Sequence, residues 1–142
     1  MQLSPHFTLA ELTITEHRLL DNTPDDAVIA NLTRLAKFLE SVKAMLGFKP
    51  ILVSSGYRSV AVNASVGGSS MSQHVVGCAA DFRVPGMTPD EVVRKIVESQ
   101  LKYDQVIREF NSWTHISIPT LEYTSPRKQA LIIDKTGTRP FA

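Results

Sequence analysis

With one cysteine, Cys78, in 142 residues, the chain cannot close an intrachain disulfide, and its fold must hold by packing alone. Charge of one sign is also missing. Fifteen Lys and Arg against 14 Asp and Glu leave a formal net charge of +1, spread along the sequence. Phosphate-backbone binding needs a concentrated basic surface, so nucleic acid is excluded as a partner. No stretch approaches the roughly 20 consecutive apolar residues of a membrane span, which excludes stable membrane insertion. The opening MQLSPHFTLAEL has neither a basic region nor an apolar core of the secretory kind. The expectation is a chain made in the cytoplasm without an export address. Internal repeats and low-complexity runs are absent too. What is present, 43% apolar and 20% charged residues, fits one domain over residues 1–142, expected to be monomeric.

Local signals outline an α+β fold. Thr8 followed by Glu11 is a capping box, opening a short helix over Leu9 to about Ile14, with His6 and Phe7 before it as docking residues. Thr15 to Asn22 carries no clear signal. Thr23 can cap the next helix, Pro24 suits its first turn, and Asp25 and Asp26 complement its dipole. Val28, Leu32, Leu35, Leu39, Val42 and Leu46 then recur at helical spacing, and Gly47 stands at the C-terminal cap. Ile51 to Val53 reads as a short strand, and SSGYRS after it as the start of a long connection. Val66 to Ser72 is almost all small residues, suited to wrapping closely around a site. Ala79 to Val84 is a strand, and Thr88 caps a helix to about Ser99. Gln105 to Phe110 and Trp113 to Ile118 form an antiparallel pair, and Ala130 to Ile133 adds an edge strand. Together these predict a small, mostly antiparallel sheet with helices packed on one side.

Two of the four histidines, His74 and His115, fall in the segments that composition marks as unusual. Hydrolytic zinc sites take three protein ligands from His and carboxylate and keep a fourth position for water. His74, Asp81 and His115 supply that count, and Gly77 permits the turn between the first two. Spacing alone is weak: a His seven residues before a carboxylate arises by chance in about one such chain in three.

Three blocks raise the case: SSGYRS at Ser54 to Ser59, GGSSMSQHVVGCAADF at Gly67 to Phe82, and SWTHIS at Ser112 to Ser117. In order and interval they resemble the signature blocks of zinc D-Ala-D-Ala carboxypeptidase-like (M15) peptidases, whose central pattern is Ser-x-His-x-x-Gly-x-Ala-x-Asp. The opening LSPHFTLAEL is similar to the phage and prophage branch, and the resemblance fades beyond Ile118. It implies one Zn²⁺ per chain held by His74, Asp81 and His115 at the sheet, and bacterial peptidoglycan as the partner and substrate, cleaved at bonds involving D-amino acids. A phage or prophage lysin is the matching role by analogy. Whether the enzyme is a carboxypeptidase or an endopeptidase stays open.

Around the ligands, Arg58 has the planar fork to hold a substrate carboxylate or a developing oxyanion. Ser72 and Gln73 are candidates for orienting the ligands and substrate, and Tyr57 and Trp113 for lining the cleft. Cys78 is read as a small buried hydrophobe, and His6 and His17 as structural or surface residues. Many relatives place an acid three residues before the last histidine, but here that position is Ser112. The branch resembled most closely carries a Glu in the preceding strand, which makes Glu109 the candidate base and Asp104 its substitute. A two-residue loop would put Glu109 on the face opposite His115, so a loop of odd length, as with Glu109 opposite Trp113, or an equivalent bulge is predicted. The competing reading is a non-catalytic zinc domain of the same fold for wall binding or virion assembly. A serine hydrolase finds no nucleophile-elbow pattern.

Overall fold

A computed structural model describes residues 1–142. The chain begins with a two-stranded hairpin, β1 (Gln2–Ser4) and β2 (Phe7–Thr8), which the sequence reading did not anticipate. Thr8 then caps α1 (Leu9–Leu12) with the predicted capping box, its hydroxyl accepting from Glu11 N. Phe7 and Leu12 are buried, and His6 docks on the next helix through Glu40 at 2.7 Å. That helix is α2 (Asp26–Met45), and its N-cap is Asp25, not Thr23. The Asp25 carboxylate accepts from Val28 N, whereas Thr23 is held in a turn by Asp21. Gly47, at φ 74°, closes the helix in the left-handed conformation as expected.

The main sheet has six strands in the order β3-β4-β6-β5-β7-β8. They are β3 (Leu52–Ser55), β4 (Ala79–Arg83), β5 (Gln105–Glu109), β6 (Trp113–Ser117), β7 (Gln129–Asp134) and β8 (Gly137–Pro140). Every pairing is antiparallel except β5 with β7. Two expectations need correction here. Ser54 and Ser55 extend β3 instead of opening the connection, because Ser55 still pairs with Asp81 of β4 across an irregularity at Ser54, whose hydroxyl donates to Asp81 O. The Ala130–Ile133 segment is no edge strand: Asp134 accepts from Thr136 N, Gly137 turns at φ 107°, and the chain folds back as β8, which becomes the edge.

Alternation along the strands divides the sheet into two unlike faces. Ala80, Phe82, Val106 and Ile116 point into a cluster of 22 buried residues that includes Leu32, Leu35 and Leu39 of α2. Val92, Val93 and Ile96 of α4 (Pro89–Glu98) join them. Asp90 of α4 also pairs with Arg108 of β5 at 2.8 Å, which fixes α4 beneath the same face. Both long helices thus lie on one side, as predicted, and the other face carries Asp81, His115 and Glu109 beside Ile107 and Trp113.

Between β3 and β4 the chain forms α3 (Val60–Ser65) and a 3₁₀ turn (Gln73–Val76) where an irregular connection was expected. The β-branched Val60 and Val62 argue weakly for a helix. Ser59 nevertheless accepts from Val62 N, and Val62 and Asn63 are buried. Tertiary packing therefore decides that segment.

Candidate metal centre and cleft

Asp81 on β4 stands directly opposite His115 on β6, and cross-strand partners share a face. Their neighbours Ala80, Phe82 and Ile116 point the other way and anchor the strands in the core. His115 Nδ1 lies 2.9 Å from Asp81 Oδ1.

His74 reaches the same carboxylate from the 3₁₀ turn rather than from a loop. Ser72 caps that turn by accepting from His74 N, and Gly77 closes it in the left-handed region at φ 81°. The His74 ring is aimed by its Nδ1–H, which donates to Gly56 O at 2.7 Å. That bond fixes the tautomer and leaves Nε2 with a free lone pair. Nε2 sits 3.3 Å from Asp81 Oδ1, buried and without a hydrogen-bond partner.

The three donor atoms lie within 4.8 Å of one another, and all three residues are buried. Ligands at about 2.0–2.1 Å from a tetrahedral ion stand roughly 3.3 Å apart. A buried, unpartnered imidazole nitrogen beside a carboxylate and a second imidazole is therefore a set of donors that fits one divalent ion such as zinc. Burial works to raise the Asp81 carboxyl, but the neighbouring imidazoles of His74 and His115 outweigh it and hold the group well below the usual carboxylate range.

Glu109 shares this face. It pairs with Trp113 across a three-residue loop, so the odd register is the one observed. Phe110 at φ 53° and Asn111 at φ 46° make the loop's tight reversal. The Glu109 carboxylate lies 3.8 Å from His115 Nδ1. Burial, with the negative charge of Asp81 adding to it, raises the Glu109 carboxyl above the ordinary range, while His115 and Arg58 pull the other way. The Trp113 indole N–H approaches Glu109 but finds no hydrogen bond of ordinary geometry.

A family model for Peptidase M15 matches residues 5–117. The chain belongs to the Peptidase M15 family. Among characterised relatives, the zinc D-Ala-D-Ala carboxypeptidase of Streptomyces albus G is 49% identical over 44 residues. That stretch covers 31% of this chain and 17% of the relative, so the likeness is local.

Other residues of this M15 chain fall into place around the cluster. The guanidinium of Arg58 donates through Nε to Ser55 at 3.0 Å, through Nη1 to Asn63 at 3.3 Å and through Nη2 to Asp81 Oδ2 at 3.3 Å. It thereby holds the carboxylate oxygen that faces away from the histidines. Ser72 and Gln73 line the cleft beside His74, and Trp113 lines it opposite, with its ring 5.7 Å from Phe110. Tyr57 does not line the cleft: its ring belongs to the hydrophobic cluster, because the turn that aims Arg58 toward Asp81 sends the preceding side chain inward. Asp104 is no substitute for Glu109. Both its oxygens are taken by Arg127, with Gln73 donating to one of them.

The cleft itself encloses about 890 Å³. Residues that the sequence reading missed include Gly56 and Asn63, each acting through a contact distant in sequence. A Cβ on Gly56 would come within 2.3 Å of Leu12 O, so only glycine lets its carbonyl reach His74. Asn63 joins Arg58 to the cleft loop by donating to Ser69 O at 2.9 Å. The family blocks contained the glycine, but nothing local in them signalled its role.

Proposed function

We propose that the chain is a zinc metallopeptidase that hydrolyses peptide bonds involving D-amino acids in peptidoglycan stem peptides. The observation that carries this reading is the buried His74–Asp81–His115 cluster, with the lone pair of His74 Nε2 unspent and the Glu109 carboxylate beside it. The local likeness to a zinc D-Ala-D-Ala carboxypeptidase supports the choice of metal and substrate.

A bound Zn²⁺ supplies Lewis-acid polarisation of a carbonyl and makes water a nucleophile near neutral pH. The protein supplies the rest. His74 is held in one tautomer by Gly56, and Asp81 is held by Arg58, so the donors need little reorganisation. Glu109 takes a proton from the attacking water and delivers it to the leaving amine, a task suited by a carboxyl raised above its ordinary range. Arg58, with the N–H groups it does not use on the protein, steadies the developing oxyanion. Ser72, Gln73 and Trp113 line the path of the peptide. The scheme draws on residues of one domain, read as a monomer. The phage or prophage lysin role rests on the likeness of the opening LSPHFTLAEL to that branch. No helix is long and apolar enough to cross a membrane.

Digestion of purified muropeptides with zinc, with and without a chelator, tests the proposal, and the product masses identify the bond. Chelator-sensitive cleavage at a D-amino acid is expected. Zinc-replete protein that binds muropeptides and leaves them intact would favour the non-catalytic wall-binding reading.

A further inference from the structure

Arg127 lies ten residues beyond the end of the family match, yet it lines the same cleft as the metal cluster. Its surroundings are unusual for a surface arginine. More than half of its side chain is exposed, 54%, while its partner Asp104 keeps only 6% of its side-chain surface exposed. Nε and Nη2 donate to Asp104 Oδ2 at 3.0 and 2.6 Å, and the Arg127 backbone N–H donates to Oδ1 at 2.9 Å. Gln73 adds a further donor to Oδ2 at 3.0 Å. The carboxylate is thus buried and saturated from below, and the guanidinium is immobilised above it. The Nη1 edge, with two N–H donors, makes no hydrogen bond to the protein, and it belongs to a side chain on the cleft wall.

An exposed arginine ordinarily loses side-chain entropy when it grips a ligand. Here the buried Asp104 has already fixed the side chain, and planar guanidinium edges suit carboxylates and phosphates, of which a peptide offers the carboxylate. Arg127 stands at the Gln105 end of β5, since Gln129 pairs with Gln105 and Ile107 pairs with His115. Its guanidinium is bound to Asp104, one strand over from His115 and three residues along from Ile107, which places it roughly 11 Å from the metal cluster. An extended peptide covers that distance in about three residues.

We propose that Arg127 is a specificity-determining residue, whose free guanidinium edge binds a substrate carboxylate about three residues from the cleaved bond. The inference rests on the peptidase reading of the cleft and adds to it the acidic character of the peptide.

The test uses zinc-loaded protein and two synthetic peptides ending in D-Ala-D-Ala. They differ only in carrying a free carboxylate or a carboxamide three residues before the cleaved bond. The wild type should favour the acid by about tenfold in kcat/KM, through KM, and Arg127→Ala should bring the acid-to-amide ratio close to one. Because both peptides meet the same preparation, partial loss of fold cancels in the ratio. Arg127→Lys should restore only part of the preference. An unchanged ratio in Arg127→Ala, or no preference in the wild type, overturns the proposal. Calorimetric binding of both peptides to zinc-loaded Glu109→Gln separates the two levels. Acid-selective binding without wild-type cleavage would refute D-Ala-D-Ala carboxypeptidase activity and keep the Arg127 subsite.

Discussion

Substituting His74, Asp81 or His115 by Ala removes one donor from a cluster whose atoms already lie within 4.8 Å. Each variant should lose the roughly one zinc per chain expected of the wild type, and elemental analysis of dialysed protein checks this. Retention of metal by all three would contradict the assignment. Arg58 makes a sharper case, because its guanidinium bonds Ser55, Asn63 and Asp81 at once. A lysine nitrogen keeps the charge and cannot span those three partners. Arg58→Lys should therefore lose most of its turnover and bind zinc about 10 to 100 times more weakly, as measured by metal titration. Wild-type values in both measurements would show that the Arg58 contacts serve neither metal binding nor turnover. At this scale the sequence is most readable where chemistry and spacing coincide, as for the ligands and Glu109. Asn63 and Gly56 were not readable, since their roles come from Ser69 O and Leu12 O and not from any pattern around them. Tyr57 misled for a related reason: one residue of difference in a turn separates the core from the cleft.

Among the elements, the β5–β6 hairpin shows how a functional requirement can constrain geometry. Ser112 leaves no acid three residues before His115, so the proposed base Glu109 needs the face of His115, which an odd loop or a bulge provides. The structure has that loop, with Glu109 opposite Trp113. No comparable constraint acted on Val60–Ser65 or on the β7–β8 turn. The first is a helix by virtue of burial, and the second depends on Asp134 and Gly137 after a segment where the family resemblance had faded. The turn that carries Gly56 is the most sensitive of these elements. Gly56→Ala would drive its Cβ into the Leu12 backbone at 2.3 Å and displace the carbonyl that orients His74. It should cost roughly 3 kcal/mol in denaturant unfolding of the apo protein. It should also weaken zinc binding. Unchanged stability and unchanged affinity would show that the turn adapts freely.

For the molecule as a whole, folding and metal binding are linked, because the donors converge only when β4, β6 and the 3₁₀ turn are assembled. Zinc held at about a thousand times its Kd should stabilise the fold by roughly 4 kcal/mol. For a chain of this size that raises Tm by roughly 10 °C, which a thermal melt with and without chelator reads directly. A second linkage concerns acid. Burial acts to raise the Asp104 carboxyl, but Arg127 and Gln73 outweigh it and hold it below the ordinary value. A depressed folded pKa contributes stability that is present above the unfolded value and is lost as pH falls through the folded one. Asp104→Asn should therefore cost about 2 kcal/mol near neutrality, and the gap to wild type should close below about pH 4.

The central claim is that Glu109 moves the proton at a metal centre built by His74, Asp81 and His115. Its most direct test is muropeptide turnover by Glu109→Gln, with zinc content measured on the same preparation. The amide preserves size and leaves all three ligands in place, so about one zinc per chain should remain. Turnover should fall by about a hundredfold to ten-thousandfold, the range that general acid–base catalysis supplies. A zinc-replete Glu109→Gln protein as fast as the wild type would contradict the account.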